Sequence, residues 1–177
     1  MKVVVAVDDS DGSRHALAWV LDHLLLVSPT TPAADAAEQE PEPERQPPPA
    51  LVLVHAHEPL RHVVMYPVGP GSAVYGAPST MEAVRAAQAE NARGLLDRAK
   101  RVCQRRGVAA EGVLVEGEPR EALCRAAADM GAGLLVVGSR GLGAIKRAFL
   151  GSVSDYCAHH ATCPIMVVKP PTTTTTS

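Results

Sequence analysis

Three glycines and a serine between residues 138 and 152 have the types and the spacing of a phosphate-binding loop. Gly138 and Gly141 permit a tight turn and a close approach of the backbone to a ligand. Further along, Gly151-Ser152 opens a predicted helix, whose free N–H groups and positive dipole end suit a phosphate. The alternative is that these glycines only form a loop and a helix cap. Their position directly after a buried strand favours a nucleotide site.

Polar side chains near this loop could add to phosphate binding. Either Ser152 or Ser154 can offer a hydroxyl, and Asp155 can close a capping box with Ser152. Lys146 and Arg147 lie between the phosphate-binding glycines and could reach a terminal phosphate. Exposure to solvent is the favoured interpretation of these two cations.

Motifs for catalysis and for metal binding are largely missing from the sequence. No segment matches G-x-x-x-x-G-K-[ST], so the lysine and the hydroxyl of a P-loop are absent, and no Glu or His is placed by spacing to activate water. The adjacent His159 and His160 point about 100° apart on a helix and cannot form an i, i+4 metal pair. His55 and His57 share one side of a predicted strand, but no third ligand is identifiable, so we expect no metal site.

Five predicted strands alternate with four predicted helices, and together they position the loop. The opening run, Lys2–Val7, is β-branched throughout, which is typical of a strand buried on both faces in a parallel sheet. Ser10 or Asp11 can cap the helix that follows, and Pro119 suits the first turn of the third helix. The strands are predicted at 2–7, 51–56, 112–115, 134–137 and 164–169, and the helices begin near residues 11, 80, 119 and 152.

This β-α alternation predicts a three-layer α/β/α fold, because right-handed crossovers arrange the strands as one parallel sheet covered on both faces. Such sheets bind ligands at the carboxyl ends of the strands, where the strand order reverses. Chemistry is therefore expected just after Val7, Ala56, Val115 and Val137. Asp8, at the end of the first strand, is predicted to lie opposite the glycine-rich loop.

The distribution of proline separates one domain from the rest of the chain. Seven of the 15 prolines fall in residues 28–50, a segment with five acids and one base, and two more open the tail at 170–177. Such composition cannot form a packed core, so we expect a disordered insertion and a disordered tail. One domain is predicted over residues 1–169. Four further prolines fall in 58–79, which is expected to be a structureless lid or mobile loop.

Charge, hydropathy and cysteine usage indicate the class of protein and its cellular location. The net charge is −2 and becomes about +2 without the acidic insertion, which excludes the dense basic face of a nucleic-acid binder. The longest apolar run is far shorter than the ~20 residues that span a bilayer, and no signal pattern opens the chain. The four cysteines form no C-x-x-C pair and are predicted to be buried, reduced thiols. We therefore expect a soluble protein of the cytoplasm, with the nucleus as a second location.

The long spacing of the glycine–serine loop is specific enough to indicate a family. The pattern Gly138-x2-Gly141-x9-Gly151-Ser152 resembles that of the ATP-binding universal stress proteins. The opening Val-Ala-Val-Asp-Asp-Ser, the second-strand Leu-Val-His-Ala and the turn Glu-Gly-Glu-Pro agree with it. The resemblance covers the chain except the insertion and the tail, and the stretch from Gly138 to Lys169 looks most like plant members.

The resemblance implies a sheet in the order 3-2-1-4-5, the adenine nucleotide alpha hydrolase-like variant of the Rossmann-like folds. It also implies ATP or AMP, with or without Mg²⁺, bound across the first and fourth strands. Residues at the ends of the first two strands would border the adenosine: Ala6, Val7, Asp8 and Ala56. Residues after the fourth strand would approach the ribose and the α-phosphate: Val137, Gly138 and Gly141. The helix that follows would receive the outer phosphates: Gly151, Ser152 and Val153.

Two departures from the family pattern concern the base. The family often has proline at the position of Ala6 and a larger valine at that of Ala56, so the contact with adenine is expected to be looser here.

Two functions from different classes follow from these features. The leading hypothesis is a nucleotide-binding stress-response or signalling module that senses or carries ATP or AMP, with at most slow hydrolysis, rather than a dedicated enzyme. The rival is a protein-interaction module of the same fold whose nucleotide site is empty or purely structural. In either case the resemblance implies a homodimer through the strand Pro164–Val168, whose exposed apolar edge invites pairing with another chain.

Overall fold

The computed structural model describes residues 1–25, 51–58, 65–69, 72–75, 78–140 and 150–170. The predicted insertion, the predicted tail beyond Pro170, and Gly141 of the predicted loop lie outside these residues. The strands are β1 (Val3–Ala6), β2 (Leu51–His57), β3 (Met65–Gly69), β4 (Ser72–Tyr75), β5 (Ala110–Glu116), β6 (Leu134–Gly138) and β7 (Ile165–Val168). The helices are α1 (Asp11–Val20), continued by a π-helical turn (Leu21–Leu25), α2 (Pro78–Arg105), α3 (Pro119–Asp129) and α4 (Ser152–His160).

Five parallel strands form one sheet in the order β5-β2-β1-β6-β7. When only the strands of this sheet are numbered along the chain, leaving out β3 and β4, the order is the predicted 3-2-1-4-5. The predicted fold class is therefore confirmed. The central strand is β1, where Val3 pairs with Leu51 of β2 on one side and Leu134 of β6 on the other. A strand with a neighbour on both sides and a helix layer on both faces requires apolar residues throughout, which explains its valine run.

Alternate residues of the strands belong to two separate cores, one on each face of the sheet. Val3 and Val5 belong to the core that also contains residues of α1 and α2, and we call this side the first face. Val4 belongs to the core on the opposite side, the second face, which also contains residues of α3 and α4. All three valines are fully buried. Because side chains alternate along a strand, a slip of one residue in register would exchange the two cores, so this register is strongly specified.

Local signals in the sequence determine where the helices begin and end. The Ser10 hydroxyl accepts a hydrogen bond from the N–H of Ser13 and caps α1, and α3 begins at Pro119. Gly107 and Gly131 follow α2 and α3 with φ of +71° and +60°, the left-handed conformation that favours glycine after a helix. Within the described part of the chain, no helix combines the length and the apolar character needed to cross a membrane.

The connection between β2 and α2 differs from its prediction. Rather than being structureless, it contains the antiparallel pair β3–β4, with a register shift between Pro67 and Gly69. In a two-stranded sheet both strands are edges, so Pro67 can occupy a strand although it lacks an N–H group. The apolar residues in this connection were therefore a strand signal that its prolines and glycines obscured. Helix α2 also begins at Pro78, two residues before its predicted start near residue 80.

Candidate functional site

The site predicted from the sequence lies at the carboxyl ends of β1 and β6, which are neighbours in the sheet. After β1 the chain passes into α1 on the first face, whereas α4, the next helix described after β6, packs on the second face. The two connections diverge at this point, which is the switch point where sheets of this type bind ligands.

Asp8 stands at the end of β1 in a fixed orientation. Its Oδ1 atom accepts hydrogen bonds from the N–H of Ser10 at 2.9 Å and from the Ser10 hydroxyl at 2.5 Å. Its own N–H donates to the hydroxyl of Ser13 at 2.9 Å. Because a carboxylate has about four acceptor positions, these bonds leave it with capacity to accept donors from a ligand.

Gly138 packs against the beginning of α1 rather than only forming a turn. A Cβ atom at this position would lie 2.7 Å from both the carbonyl carbon and the carbonyl oxygen of Gly12. A Cβ atom at Gly12 would in turn lie 2.2 Å from the carbonyl oxygen of Arg140. Among the described glycines, only Gly107, Gly117 and Gly131 have positive φ. Glycine is therefore needed at position 138 because a side chain would clash there, and not because of its backbone conformation. Sequence reasoning missed Gly12, because no local pattern reveals which backbone it meets.

The beginning of α4 is hydrogen-bonded to Ser139, the residue that follows β6. The carbonyl oxygen of Ser139 accepts the Gly151 N–H at 2.8 Å and lies 3.2 Å from the Ser154 hydroxyl. That hydroxyl also lies 3.0 Å from the carbonyl oxygen of Gly151. These contacts bring Gly151 to the end of β6, as the predicted site requires.

At this helix end the structure contradicts one prediction and excludes one of two predicted alternatives. Gly151 is the N-cap, with no hydrogen bond from a capping side chain, so the expected capping box between Ser152 and Asp155 does not form. Ser154 is only 2 % exposed and its hydroxyl is used within the protein, so it is not the hydroxyl that would meet a phosphate. The exposed Ser152 remains for that role. With no side chain capping them, the first N–H groups of α4 keep their capacity to bind an anion.

Several predicted contacts with the base and the ribose share one face of the sheet. Four of them pack on the second-face core: Ala6, Ala56, Val137 and Val153. The other residue expected beside the adenosine, Val7, contributes its side chain to the first-face core. Only its backbone is therefore available to a ligand on the second face. Lys146 and Arg147 lie outside the described residues.

The other side of β2 has a separate polar cavity. His55 and His57 both line it, as their spacing predicts, together with Gln88 and Arg98 of α2, and its volume is about 530 Å³. The Nδ1 atom of His55 is 2.7 Å from the carbonyl oxygen of Val7, which fixes the ring. Across the described residues, no three His, Cys, Asp or Glu side chains are arranged to hold a metal ion.

Comparison with known proteins agrees with this architecture. The family profile described as "Universal stress protein family" matches residues 29–169. Universal stress protein YxiE of Bacillus subtilis is 30 % identical over 168 residues, a match that covers 95 % of this chain and 98 % of that protein. The Universal stress protein A-like protein of Arabidopsis thaliana is 36 % identical over 98 residues, 54 % of this chain and 55 % of that protein. The chain belongs to the universal stress protein family.

Solved structures with the same fold include complexes with adenine nucleotides. A universal stress protein family member from Arabidopsis thaliana, crystallised with AMP bound, has a TM-score of 0.61 at 23 % identity, covering 97 % of this chain and 93 % of that one. A universal stress protein in complex with cAMP has a TM-score of 0.56 at 20 % identity, covering 97 % and 98 %. Another, from Archaeoglobus fulgidus in complex with dAMP, has a TM-score of 0.54 at 18 % identity, covering 96 % and 98 %.

Proposed function

We propose that this protein binds an adenine nucleotide, ATP or AMP, at the carboxyl ends of β1 and β6 and acts as a stress-response or signalling module. The observation that carries the proposal is the start of α4, which has no capping side chain and is held by the Ser139 carbonyl at the switch point. Free N–H groups at a helix N-terminus attract phosphate. Structural neighbours crystallised with AMP, cAMP and dAMP support adenosine as the rest of the ligand.

Different residues would contact the base, the ribose and the phosphates of the nucleotide. The carboxylate of Asp8 would accept hydrogen bonds from the base or the ribose, and the small side chains of Ala6 and Ala56 would leave room for the adenine. The backbone at Val7, Val137, Gly138 and Gly141 would pass beside the ribose and the α-phosphate. The helix start would take the outer phosphates, through Gly151, Ser152 and Val153.

Binding rather than catalysis is the proposed activity. Rapid hydrolysis of ATP needs a positioned water and groups that stabilise the charge developing on the phosphate. The sequence has no P-loop, so the lysine and the metal-binding hydroxyl that such a loop supplies are missing. If ATP is bound, Mg²⁺ would be held mainly by the phosphates and water, as this ion prefers. Hydrolysis would then be slow at most, and the protein would report or carry the nucleotide.

We further propose that residues 1–169 form a single domain that associates as a homodimer through Pro164–Val168. The support is the position of β7, which has β6 on one side and no described strand on the other. Its Ile165, Met166 and Val167 are only partly buried. An unpaired apolar edge favours pairing with a second chain.

Isothermal titration of the purified chain with ATP, AMP and cAMP tests the nucleotide site, with Asp8→Asn as the variant. The amide oxygen of Asn can still accept the bonds from Ser10, so the turn is kept while the charge and an acceptor are lost. A hydrogen bond to a charged group contributes about 1.5–3 kcal/mol, so affinity should fall by roughly 13–150-fold.

Asp11→Asn is the matched control, because Asp11 has a fully exposed side chain in the same turn. It should leave the affinity unchanged. The absence of heat and of a thermal shift for wild-type protein at millimolar nucleotide would overturn the proposal. In that case the interaction module, which keeps the fold without a ligand, becomes the better account.

A further inference from the structure

Three of the four cysteines, which are distant in sequence, lie together on the second face of the sheet. Cys124 is on α3, Cys157 is on α4, and Cys163 precedes β7; all three belong to or pack on the same core. Cys157 is fully buried, whereas Cys124 and Cys163 are partly exposed. The fourth, Cys103, is buried in the core of the first face.

The Sγ atoms of Cys124 and Cys157 are 3.6 Å apart, in direct van der Waals contact. A disulfide requires an S–S distance of about 2.05 Å, so the two atoms must approach by roughly 1.5 Å when the bond forms. We propose that Cys124 and Cys157 are an oxidation site, at which a hydroperoxide forms an intrachain disulfide that joins α3 to α4. This proposal goes beyond nucleotide binding and does not depend on it.

The chemistry balances with hydrogen peroxide as the oxidant. The thiolate of Cys124, the more accessible of the two, attacks one peroxide oxygen; an S–O bond forms, the O–O bond breaks, and the departing hydroxide takes a proton to leave as water. The thiol of Cys157 then loses its proton as its sulfur attacks the sulfenic acid on Cys124. The S–S bond forms, the S–O bond breaks, and a second water leaves. Two thiols are oxidised, and one peroxide is reduced to two waters.

The environment makes this reaction slow at neutral pH. Burial raises the pKa of the Cys124 thiol, and burial together with the contact with Cys124 raises the pKa of Cys157 to about 12. Because the thiolate is the nucleophile, its small population at neutral pH limits the rate. While the pH is below the pKa of the attacking thiol, each unit increase in pH should therefore accelerate oxidation by up to about tenfold. The pair would respond to sustained oxidant and would stay reduced otherwise.

The disulfide would constrain the part of the chain that carries the proposed phosphate site. Cys124 and Cys157 are 33 residues apart, and the segment between them includes β6 and the start of α4. Closing a loop of this length removes entropy from the unfolded chain, so oxidation should raise the Tm by roughly 5–15 °C. Reduction with dithiothreitol should reverse the increase.

The test treats the reduced full-length protein with hydrogen peroxide and analyses tryptic peptides without reduction. Cleavage after arginine places Cys124 in the peptide 121–125, but Cys157 and Cys163 remain together in the peptide that begins at 148. A cross-link between these two peptides is expected. Because the peptide map alone cannot distinguish Cys157 from Cys163, substitutions must identify the partner.

The cross-link should persist in Cys163→Ser and in the control Cys103→Ser, and it should disappear in Cys124→Ser and in Cys157→Ala. Circular dichroism of each reduced variant checks that the fold is retained. For Cys157, the larger Cys157→Val is the second variant should the alanine variant not fold. A cross-link that survives the loss of Cys157, or a wild-type protein that forms only higher acids or interchain disulfides, would overturn the proposal.

Discussion

Gly12 and Gly138 show how two residues 126 positions apart can specify one contact. Each lacks a side chain where the backbone of the other segment passes, so the start of α1 can lie directly on the end of β6. The sequence predicted a functional role for Gly138 because of its place in the loop. It could not predict Gly12, since a requirement for space is only visible once the opposing backbone is known.

Gly12→Ala should therefore destabilise the protein although alanine is the better helix former. Its Cβ would lie 2.2 Å from the carbonyl oxygen of Arg140, so a backbone segment must move. Overpacking of this kind typically costs about 1–3 kcal/mol in the free energy of unfolding, which urea denaturation measures.

Gly94→Ala is the matched control, because Gly94 lies inside α2 and its added Cβ would meet only the end of Arg98 at 3.6 Å. Helix propensity should then increase the free energy of unfolding by up to about 1 kcal/mol. Equal midpoints for Gly12→Ala and wild type would contradict the close contact. The crowding also means that Gly138→Val, an obvious substitution to block a phosphate loop, would test packing rather than binding.

At the scale of single elements, predictions from periodicity succeeded where one local signal dominated. Helices α3 and α4 begin at Pro119 and Ser152, where the sequence predicts their starts. The hairpin β3–β4 was missed because its prolines and glycines outweighed the strand signal of its neighbours. The cap of α4 was also wrong: Ser152 lies one position inside the helix, where its side chain cannot cap it.

Ser154 and Ser152, two residues of the same helix turn, should give opposite results when replaced by alanine. Ser154→Ala removes a buried hydroxyl from the Ser139 and Gly151 carbonyls, but both carbonyls keep a backbone donor. The free energy of unfolding should therefore fall by only about 0.5–1.5 kcal/mol.

Ser152→Ala alters an exposed side chain and should change the free energy of unfolding by less than about 0.5 kcal/mol. If its hydroxyl meets a phosphate, the affinity for ATP should fall by roughly 2–13-fold. Urea denaturation and calorimetric titration of both variants separate the two roles. A stability loss at Ser152 with unchanged affinity would remove it from the proposed site.

For the whole molecule, the strand order was predictable because alternating strands and helices with right-handed crossovers leave few topologies. The sequence could also indicate which strand ends meet, and the structure places Asp8, Gly138 and Gly151 around one switch point. The convergence of Cys124, Cys157 and Cys163 could not be predicted, because it depends on how α3 and α4 pack together. Contacts between elements that share no backbone pairing are the part that periodicity does not encode.

The proposed dimer is the property of the whole molecule that a single substitution can test. The carbonyls of Pro164 and Val168 accept bonds from β6, so by alternation the backbone groups of Val167 point to the open edge. Val167→Pro would remove the edge N–H without removing a bond to β6, and proline is tolerated at edges. This variant should sediment as a monomer at concentrations where the wild type is a dimer, and it should still unfold cooperatively.

Met166→Pro is the contrasting variant, because the N–H of Met166 faces β6, so its loss should destabilise the sheet itself. Nucleotide titration of Val167→Pro adds a second control, since a site formed by β1, β6 and α4 of one chain should bind with unchanged affinity as a monomer. A wild-type protein that stays monomeric at every concentration would contradict the dimer. Dimers that survive Val167→Pro would instead move the interface away from β7, and the edge of the sheet would then need another explanation for its partly exposed apolar residues.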